Sequence, residues 1–320
     1  MAREARPLWE YEQVSSADTV CLFHFSIGSA ASRLIHGAPD RLVCLYHNIT
    51  PGEWFLGFHP HLAGLCYHGR RELRAFAPRA ELGLADSEFN RRELEAAGFA
   101  RTAVLPIVME EGALFRGASP VARRLFADGR VNLLFVGRII PNKKIDDLIR
   151  AFALYQRRLQ PQSRLLLVGD YRGHERYFDR LREMVAALGV EEVVFTGHVD
   201  DDDLRAYYAS AHLFLCLSEH EGYCVPLLEA MSFGLPVVAY DAGAVAETLR
   251  GGGVLLRDKS PDWVAEVVHA VLTLPALRRQ VAEGERRVMD ALRATDFRAL
   301  LLERLAPVLE GRSPAPALHP

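Results

Sequence analysis

Apolar residues in this chain fall into short runs of β-formers, separated by longer stretches in which apolar positions recur every three to four residues. These are the signatures of buried strands and of amphipathic helices. Thr19 to Phe25 (TVCLFHF) and Arg41 to Tyr46 (RLVCLY) predict two strands, with a Ser- and Gly-containing helical segment between them. A helix is expected over 61–77, stopped by Pro78, and a strand from Glu81 to Ala85. Ser87 is placed to cap a helix through FNRRELEAAGF that ends at Gly98, and Thr102 to Leu105 is one more strand before Pro106.

Residues 107–130 carry little periodic signal apart from a short helix in SPVARRLFADG, and they read as a passage between domains. A second series follows. Strands are expected at Val131 to Val136, Ser163 to Val168, Val193 to Thr196, His212 to Leu217, Pro236 to Tyr240 and Val254 to Leu256. Helices are expected at Ile145 to Leu159, Glu175 to Leu188, Asp201 to Ala209 and Val225 to Phe233, with further helical segments to residue 309. Alternation with short connections implies parallel sheets covered on both faces. The expected class is therefore α/β with two facing Rossmann-like domains, 1–118 and 119–294. Residues 295–312 form a helix that is a candidate to pack back on the first domain, and 313–320 a disordered tail. The first domain holds about four strands where a doubly wound domain has six, so it reads as shortened and incomplete.

Composition narrows the class. At 320 residues, with 50% hydrophobic and 25% charged, the chain has the profile of a soluble globular protein with room for two cores. It contains no run of about 18 apolar residues that could span a membrane, and its opening MAREARPLWEYEQ is too polar for a signal peptide. The cytoplasm is the default address. A net charge of -3 gives no bulk attraction to nucleic acid, and no basic amphipathic helix argues for membrane contact. The five cysteines, Cys21, Cys44, Cys66, Cys216 and Cys224, form no CxxC pair and read as thiols in a reducing compartment. Basic residues are almost all arginine; the only lysines are Lys143, Lys144 and Lys259.

In open parallel sheets ligands bind beyond the carboxyl ends of the strands, which directs the search to a few connections. Gly137, Arg138 and the run IIPNKK follow one strand. Arg138 and Lys143 on that connection could neutralise a diphosphate and stabilise its charge as it departs, the bland alternative being a solvated loop. The stretch Ser218 to Thr248 carries Glu221 and Glu229, eight residues apart across a loop-to-helix junction shaped by Gly222 and Pro226. Eight helical residues rise roughly 12 Å, the reach from a hexose to the ribose of a nucleotide sugar. Glu221 is then expected to take sugar hydroxyls and Glu229 ribose hydroxyls, with helix-start amides at Gly222, Tyr223, Cys224 and Val225 between them.

Other features are better explained without chemistry. Asp200 to Asp203 open a helix, where acids cap and complement the dipole. Gly251 to Gly253 read as a turn, and His59, His61 and His68 lack a metal-site pattern. Neither HExxH nor GxSxG occurs.

Taken together, VGRIIPNKKIDDLIRAF, FTGHV, EGYCVPLLEAMSFGLPVVA and DAGAVAE resemble the retaining GT-B glycosyltransferases of family four, the glycosyl transferases group 1. Their hallmark E-x7-E falls here on Glu221 to Glu229. The resemblance is specific across residues 131–257 and looser through LYHNITP and ADSEFNRRELEAAGF. It implies GT-B architecture, with an N-terminal acceptor domain and a C-terminal nucleotide-sugar donor domain. It also implies transfer of a sugar from a nucleotide-diphosphate donor with retention at the anomeric carbon, and no metal or other cofactor.

By the same resemblance Arg138 and Lys143 match phosphate-binding cations, and Glu221 and Glu229 match donor-sugar and ribose ligands. His47 matches a cleft histidine that contacts donor sugar or acceptor. His198 and Val199 match a segment whose backbone holds the base, and Gly137 adjoins the donor site. The family's opening glycine-rich loop has no counterpart in this chain. Competing readings are a nucleotide-sugar epimerase or hydrolase of the same fold, and a non-catalytic nucleotide-sugar-binding or partner subunit. The donor base, the sugar and the acceptor stay open.

Overall fold

The β-rich apolar runs become strands whose neighbours all run the same way. In the computed structural model, which describes residues 6–109, 126 and 128–311, every pairing between named strands is parallel. The short helix expected in SPVARRLFADG lies almost wholly outside the described residues, and so does the tail from Ser313. The chain divides into two compact units: Met1–Glu53 with His61–Ile107 and Asp296–Pro320, and Trp54–Pro60 with Val108–Thr295.

The first unit holds β1 (Val20–Phe25), β2 (Arg41–Tyr46), β3 (Ala80–Ala85) and β4 (Thr102–Val104), side by side in sequence order. Helices α1 (Ala30–Gly37), α2 (Pro60–Phe76) and α3 (Glu88–Ala97) make the crossovers. Ser29 caps α1 with a reciprocal Ser29/Ser32 capping box, and Ser87 caps α3 by accepting from the Asn90 N–H. Val43, Leu45, Leu82 and Leu84 form a buried core with Val308, backed by Leu305. Both come from the last helix among the described residues, Phe297–Leu309, so that helix closes the first unit. Burial of each such side chain contributes about 1.5–3 kcal/mol, and the Arg41 guanidinium adds a hydrogen bond to the Val308 carbonyl.

The second unit carries β5 (Val131–Val136), β6 (Ser163–Val168), β7 (Val193–Gly197), β8 (Leu213–Cys216), β9 (Val237–Tyr240) and β10 (Val254–Leu256). Their order across the sheet is β10-β9-β8-β5-β6-β7. The chain builds outward from β5 to β7, then returns to the other side of β5 with β8 and builds outward again. Helices α4 (Ile145–Arg158), α5 (Glu175–Leu188), α6 (Asp201–Ser210), α7 (Val225–Ser232), α8 (Val245–Leu249), α9 (Pro261–Thr273) and α10 (Pro275–Arg293) complete the unit. The helix Phe297–Leu309 is α11. The reversal between β5 and β8, in register at Leu133–Leu213 and Leu134–Phe214, is the topological switch point. No helix among the described residues is long and apolar enough to cross a membrane.

Candidate functional site

At the switch point the connections that follow β5 and β8 leave adjacent strands at their carboxyl ends. Residues 78 apart in sequence therefore become neighbours. After β5 the chain passes Gly137, exposed Arg138 and buried Ile139 and Ile140 into a single 3-10 turn, Pro141–Lys143. Buried Asn142 joins that turn to the loop after β8: its side-chain NH2 donates to the His220 carbonyl at 3.1 Å, and its own carbonyl accepts from the Glu219 N–H at 2.9 Å. With the two backbones joined, the Lys143 ammonium donates to both oxygens of Glu221, at 2.6 and 2.7 Å.

Glu221 is 5% exposed. Its position is fixed from a third strand: the turn after β9 donates the Ala244 N–H to the Glu221 carbonyl at 2.9 Å. Gly243 in that turn, at φ 58, lies so close that a Cβ there would sit 2.3 Å from the same oxygen. Burial alone would lower the Lys143 pKa, but the Glu221 charge and hydrogen bond together with the neighbouring Cys224 and Cys216 outweigh it, and the ammonium is held above its ordinary value. The pair is thus a fixed, charged constellation.

Arg138 makes no ion pair among the described residues, and its charge helps burial push His174 down to about 4. All three lysines of the chain gather around this loop. Lys259 bonds Asp147 at 2.6 Å and also Glu219, and Lys144 bonds Asp146 at 3.0 Å.

Gly222, Tyr223, Cys224 and Val225 form the junction into α7. Cys224 is its N-cap, in the left-handed region at φ 70, and its side chain makes no capping bond. The helix starts later than a continuous eight-residue rise requires. Glu221 lies on the loop and Glu229 is the fifth residue of α7, little more than one turn in, so the expected 12 Å helical spacing does not describe the pair. The half-buried Glu229 accepts from the Tyr208 hydroxyl of α6 at 2.7 Å. Burial raises its pKa, partly opposed by that bond. His198, exposed, and Val199, half-buried, follow β7, which is separated from β8 by the two strands β5 and β6. Asp200 caps α6 by accepting from the Asp203 N–H.

His47 belongs to the first unit. It follows β2 and is held by Asn48, at φ 74, whose side chain donates to Asn90 at 2.8 Å. Its Nδ1 lies 2.9 Å from buried Asp86, and its Nε2 lies 2.7 Å from Nδ1 of His24. The two rings are inclined by only 23° with centroids 4.9 Å apart, the near-coplanar arrangement of an in-plane N–H···N bond. A carboxylate only accepts, so the Nδ1 of neutral His47 carries its proton, its Nε2 accepts from His24 Nδ1–H, and His24 Nε2 is left as the basic nitrogen. Burial first, and then repulsion from His47, lower the His24 pKa, which favours a neutral His24 ring.

His24 and Asp86 are absent from the sequence-derived candidates. Both lie at strand carboxyl ends, the positions to search, but His24 sits inside TVCLFHF and reads there as core, while Asp86 reads as the residue before a cap. Asn142 and Gly243 were missed for a related reason: their roles exist only once β5, β8 and β9 are adjacent. His59, expected to have a surface or core role, lies with its ring centroid 5.4 Å from that of His174, the rings tilted by 53°.

The profile of the glycosyl transferases group 1 matches residues 122–288. The chain belongs to this family. Among its relatives, the GDP-mannose-dependent alpha-mannosyltransferase of Mycobacterium tuberculosis is 32% identical over 249 residues, covering 75% of this chain and 60% of the relative. The D-inositol 3-phosphate glycosyltransferase of Geodermatophilus obscurus is 31% identical over 228 residues, covering 68% and 50%. An uncharacterized glycosyltransferase of Methanocaldococcus jannaschii, MJ1607, is 32% identical over 163 residues, covering 50% and 40%. The chain thus spans from two fifths to three fifths of the length of these relatives.

Among solved structures, sucrose-phosphate synthase from Thermosynechococcus elongatus superposes with a TM-score of 0.75 at 21% identity, over 95% of this chain and 77% of that one. Anabaena Alr3699/HepE in complex with UDP-glucose gives 0.69 at 22% identity, over 88% and 74%. The glycosyl transferases group 1 chain described here has the GT-B fold of those neighbours.

Proposed function

We propose that this chain transfers a sugar from a nucleotide-diphosphate donor to an acceptor hydroxyl with retention of anomeric configuration. The observation that carries the reading is the Lys143–Glu221 pair at the switch point of the second sheet, with Arg138 on the same connection and Glu229 on the helix that follows. Lys143 and Arg138 supply positive charge for the diphosphate as it leaves, worth most in a half-buried setting that needs no reorganisation. Those two cations serve in place of a metal. Glu221 accepts from donor-sugar hydroxyls, Glu229 from the ribose, and Gly137, His198 and Val199 line the strand ends for the rest of the nucleotide. Glu221 is a poor nucleophile while both its oxygens hold Lys143, so a donor phosphate oxygen is the better acceptor for the incoming hydroxyl's proton. The acceptor then enters on the face the diphosphate leaves.

In the first unit, His24 Nε2 and not His47 is the nitrogen offered to an acceptor hydroxyl; His47 and Asp86 hold its tautomer. Support for the donor class comes from the relatives, one named for GDP-mannose and one solved neighbour holding UDP-glucose. Unpaired cysteines support a reducing, cytoplasmic setting. Calorimetry with UDP and GDP tests the donor site. Lys143→Ala and Glu229→Ala are expected to weaken nucleotide affinity by about tenfold or more, one lost charged or hydrogen-bonded contact each; unchanged affinity in both overturns the assignment. Formation of a glycoside, as opposed to unattached or epimerised sugar, distinguishes transfer from hydrolysis or epimerisation.

A further inference from the structure

One group of side chains sets two thiols against the proposed donor-sugar contact Glu221. Cys216 closes β8, Glu221 stands on the loop and Cys224 caps α7. Their two Sγ atoms and a carboxylate oxygen all lie within 4.8 Å of one another. Cys216 and Glu221 are buried and Cys224 is half-buried. Cysteines used as apolar filler face hydrocarbon, whereas these face each other, a carboxylate and the Lys143 ammonium; Cys216 Sγ also lies 3.3 Å from Ser218 Oγ. Cys224 adopts φ 70, ψ 63, a conformation glycine reaches more cheaply than any residue with a side chain. The side chain carried there at that cost is a thiol placed in the cluster.

We propose that Cys216, Cys224 and Glu221 form a binding site for a thiophilic cation, Zn2+ being the ordinary cellular example. Two sulfurs and one oxygen are a donor set suited to that class of ion and ill suited to Mg2+ or Ca2+. Metal–sulfur bonds of about 2.3 Å put tetrahedral ligand atoms roughly 3.8 Å apart, which the cluster reaches by small side-chain rotations. Charge also balances. Binding one dication while two thiol protons leave for solvent replaces two positive charges with two, so the Lys143–Glu221 pair keeps its own neutrality. A carboxylate has about four lone-pair positions, enough for one oxygen to take the cation while the other retains Lys143. Three protein ligands leave a fourth position for water. The cation takes no part in sugar transfer. Resting on the function proposed above, it competes with the donor sugar for Glu221.

Titration of the full reduced chain with Co2+, without nucleotide, tests the site independently of that function. The expected result is uptake of one equivalent, with sulfur-to-metal charge-transfer absorption and the visible bands of tetrahedral Co2+, reversed by Zn2+. Cys224→Gly removes a ligand while relieving the positive φ, so the variant keeps its fold; its Co2+ affinity is expected to fall about 100-fold or more. Cys216→Ser does the same, and Cys21→Ser in β1 leaves uptake unchanged. The proposal is overturned by no stoichiometric uptake, or by undiminished uptake in Cys224→Gly. It is also overturned by a Cys216–Cys224 disulfide that forms in air in a chain whose reduced form takes up no metal. UDP and GDP affinities measured on the same samples show whether the donor site stands whatever the metal result.

Discussion

The two sheets gather polar side chains at strand ends by different means. In the first, β1, β2 and β3 lie in sequence order, and each contributes one residue to a row: His24, His47 and Asp86. In the second, the order reverses beside β5, and the loops after β5, β8 and β9 meet around Glu221. A sequential sheet produces a line of hydrogen bonds that fixes a tautomer. A reversal leaves a crevice flanked by two loops and produces a buried ion pair with several backbone supports. The row therefore depends on the identity of each member, while the crevice depends as much on close backbone approach as on charge.

Breaking the crevice gives the largest expected effect. Lys143→Met leaves Glu221, 5% exposed, without its partner. The cost of such a stranded charge is about 3 kcal/mol of unfolding free energy, read by urea denaturation. Adding Glu221→Gln to Lys143→Met is expected to restore most of it, because the penalty is an unpaired charge and not lost volume. Equal stability of the single and double variants would place the pair in solvent.

The row is tested by Asp86→Asn. The amide donates where the carboxylate accepts, so it favours the tautomer of His47 with the proton on Nε2, and His24 must then turn its proton outward. Transfer is expected to fall about 100-fold through misplacement of the acceptor, with nucleotide affinity unchanged, since no member of the row belongs to the second unit. A parallel loss of nucleotide affinity would show that the two regions do not act separately.

Gly243→Ala separates backbone support from charge. Its Cβ would lie 2.3 Å from the Glu221 carbonyl, at a φ of 58 that suits glycine. A cost of about 2 kcal/mol is expected from strain and displacement of the loop, together with weaker nucleotide binding by calorimetry. Loss of stability with unchanged binding would mean that Glu221 keeps its place without this turn.

The comparison also explains what could be read in the chain beforehand. Alternating β-rich runs and amphipathic periods located the strands of both units, because buried parallel strands and half-buried helices have different periods. Arg138, Lys143 and Glu221 stood out because each is polar on a connection leaving a strand end, and Glu229 because of its spacing from Glu221. The start of α7 at Val225 was legible too, but the continuous helical spacing of the two glutamates was not: Cys224 takes a left-handed conformation that nothing in EGYCVP announces, and Glu221 stays on the loop. His24 was hidden in an apolar run, and its meaning depends on the β1–β2 register that sets it against Leu45, next to Tyr46 and His47. The segment 54–60, read with the N-terminal half, packs Phe55 and His59 on His174 in the second unit, an association no local pattern encodes.

The smallest effect distinguishes the row from a chance contact. His24 is lowered from its ordinary value by burial first, then by the charge of His47, against an opposing pull from Asp86. Its folded pKa therefore lies below its unfolded one. Stability linked to this group is complete above the ordinary histidine value of about 6.5 and is lost as pH falls through the folded value. His47→Ala removes the repulsion and leaves Asp86, so the His24 titration followed by proton NMR is expected to move upward, toward the ordinary value. The acid-side loss of stability should shrink with it. A His24 pKa left unmoved in His47→Ala would mean that the two rings do not influence one another, and the row would be a chance contact.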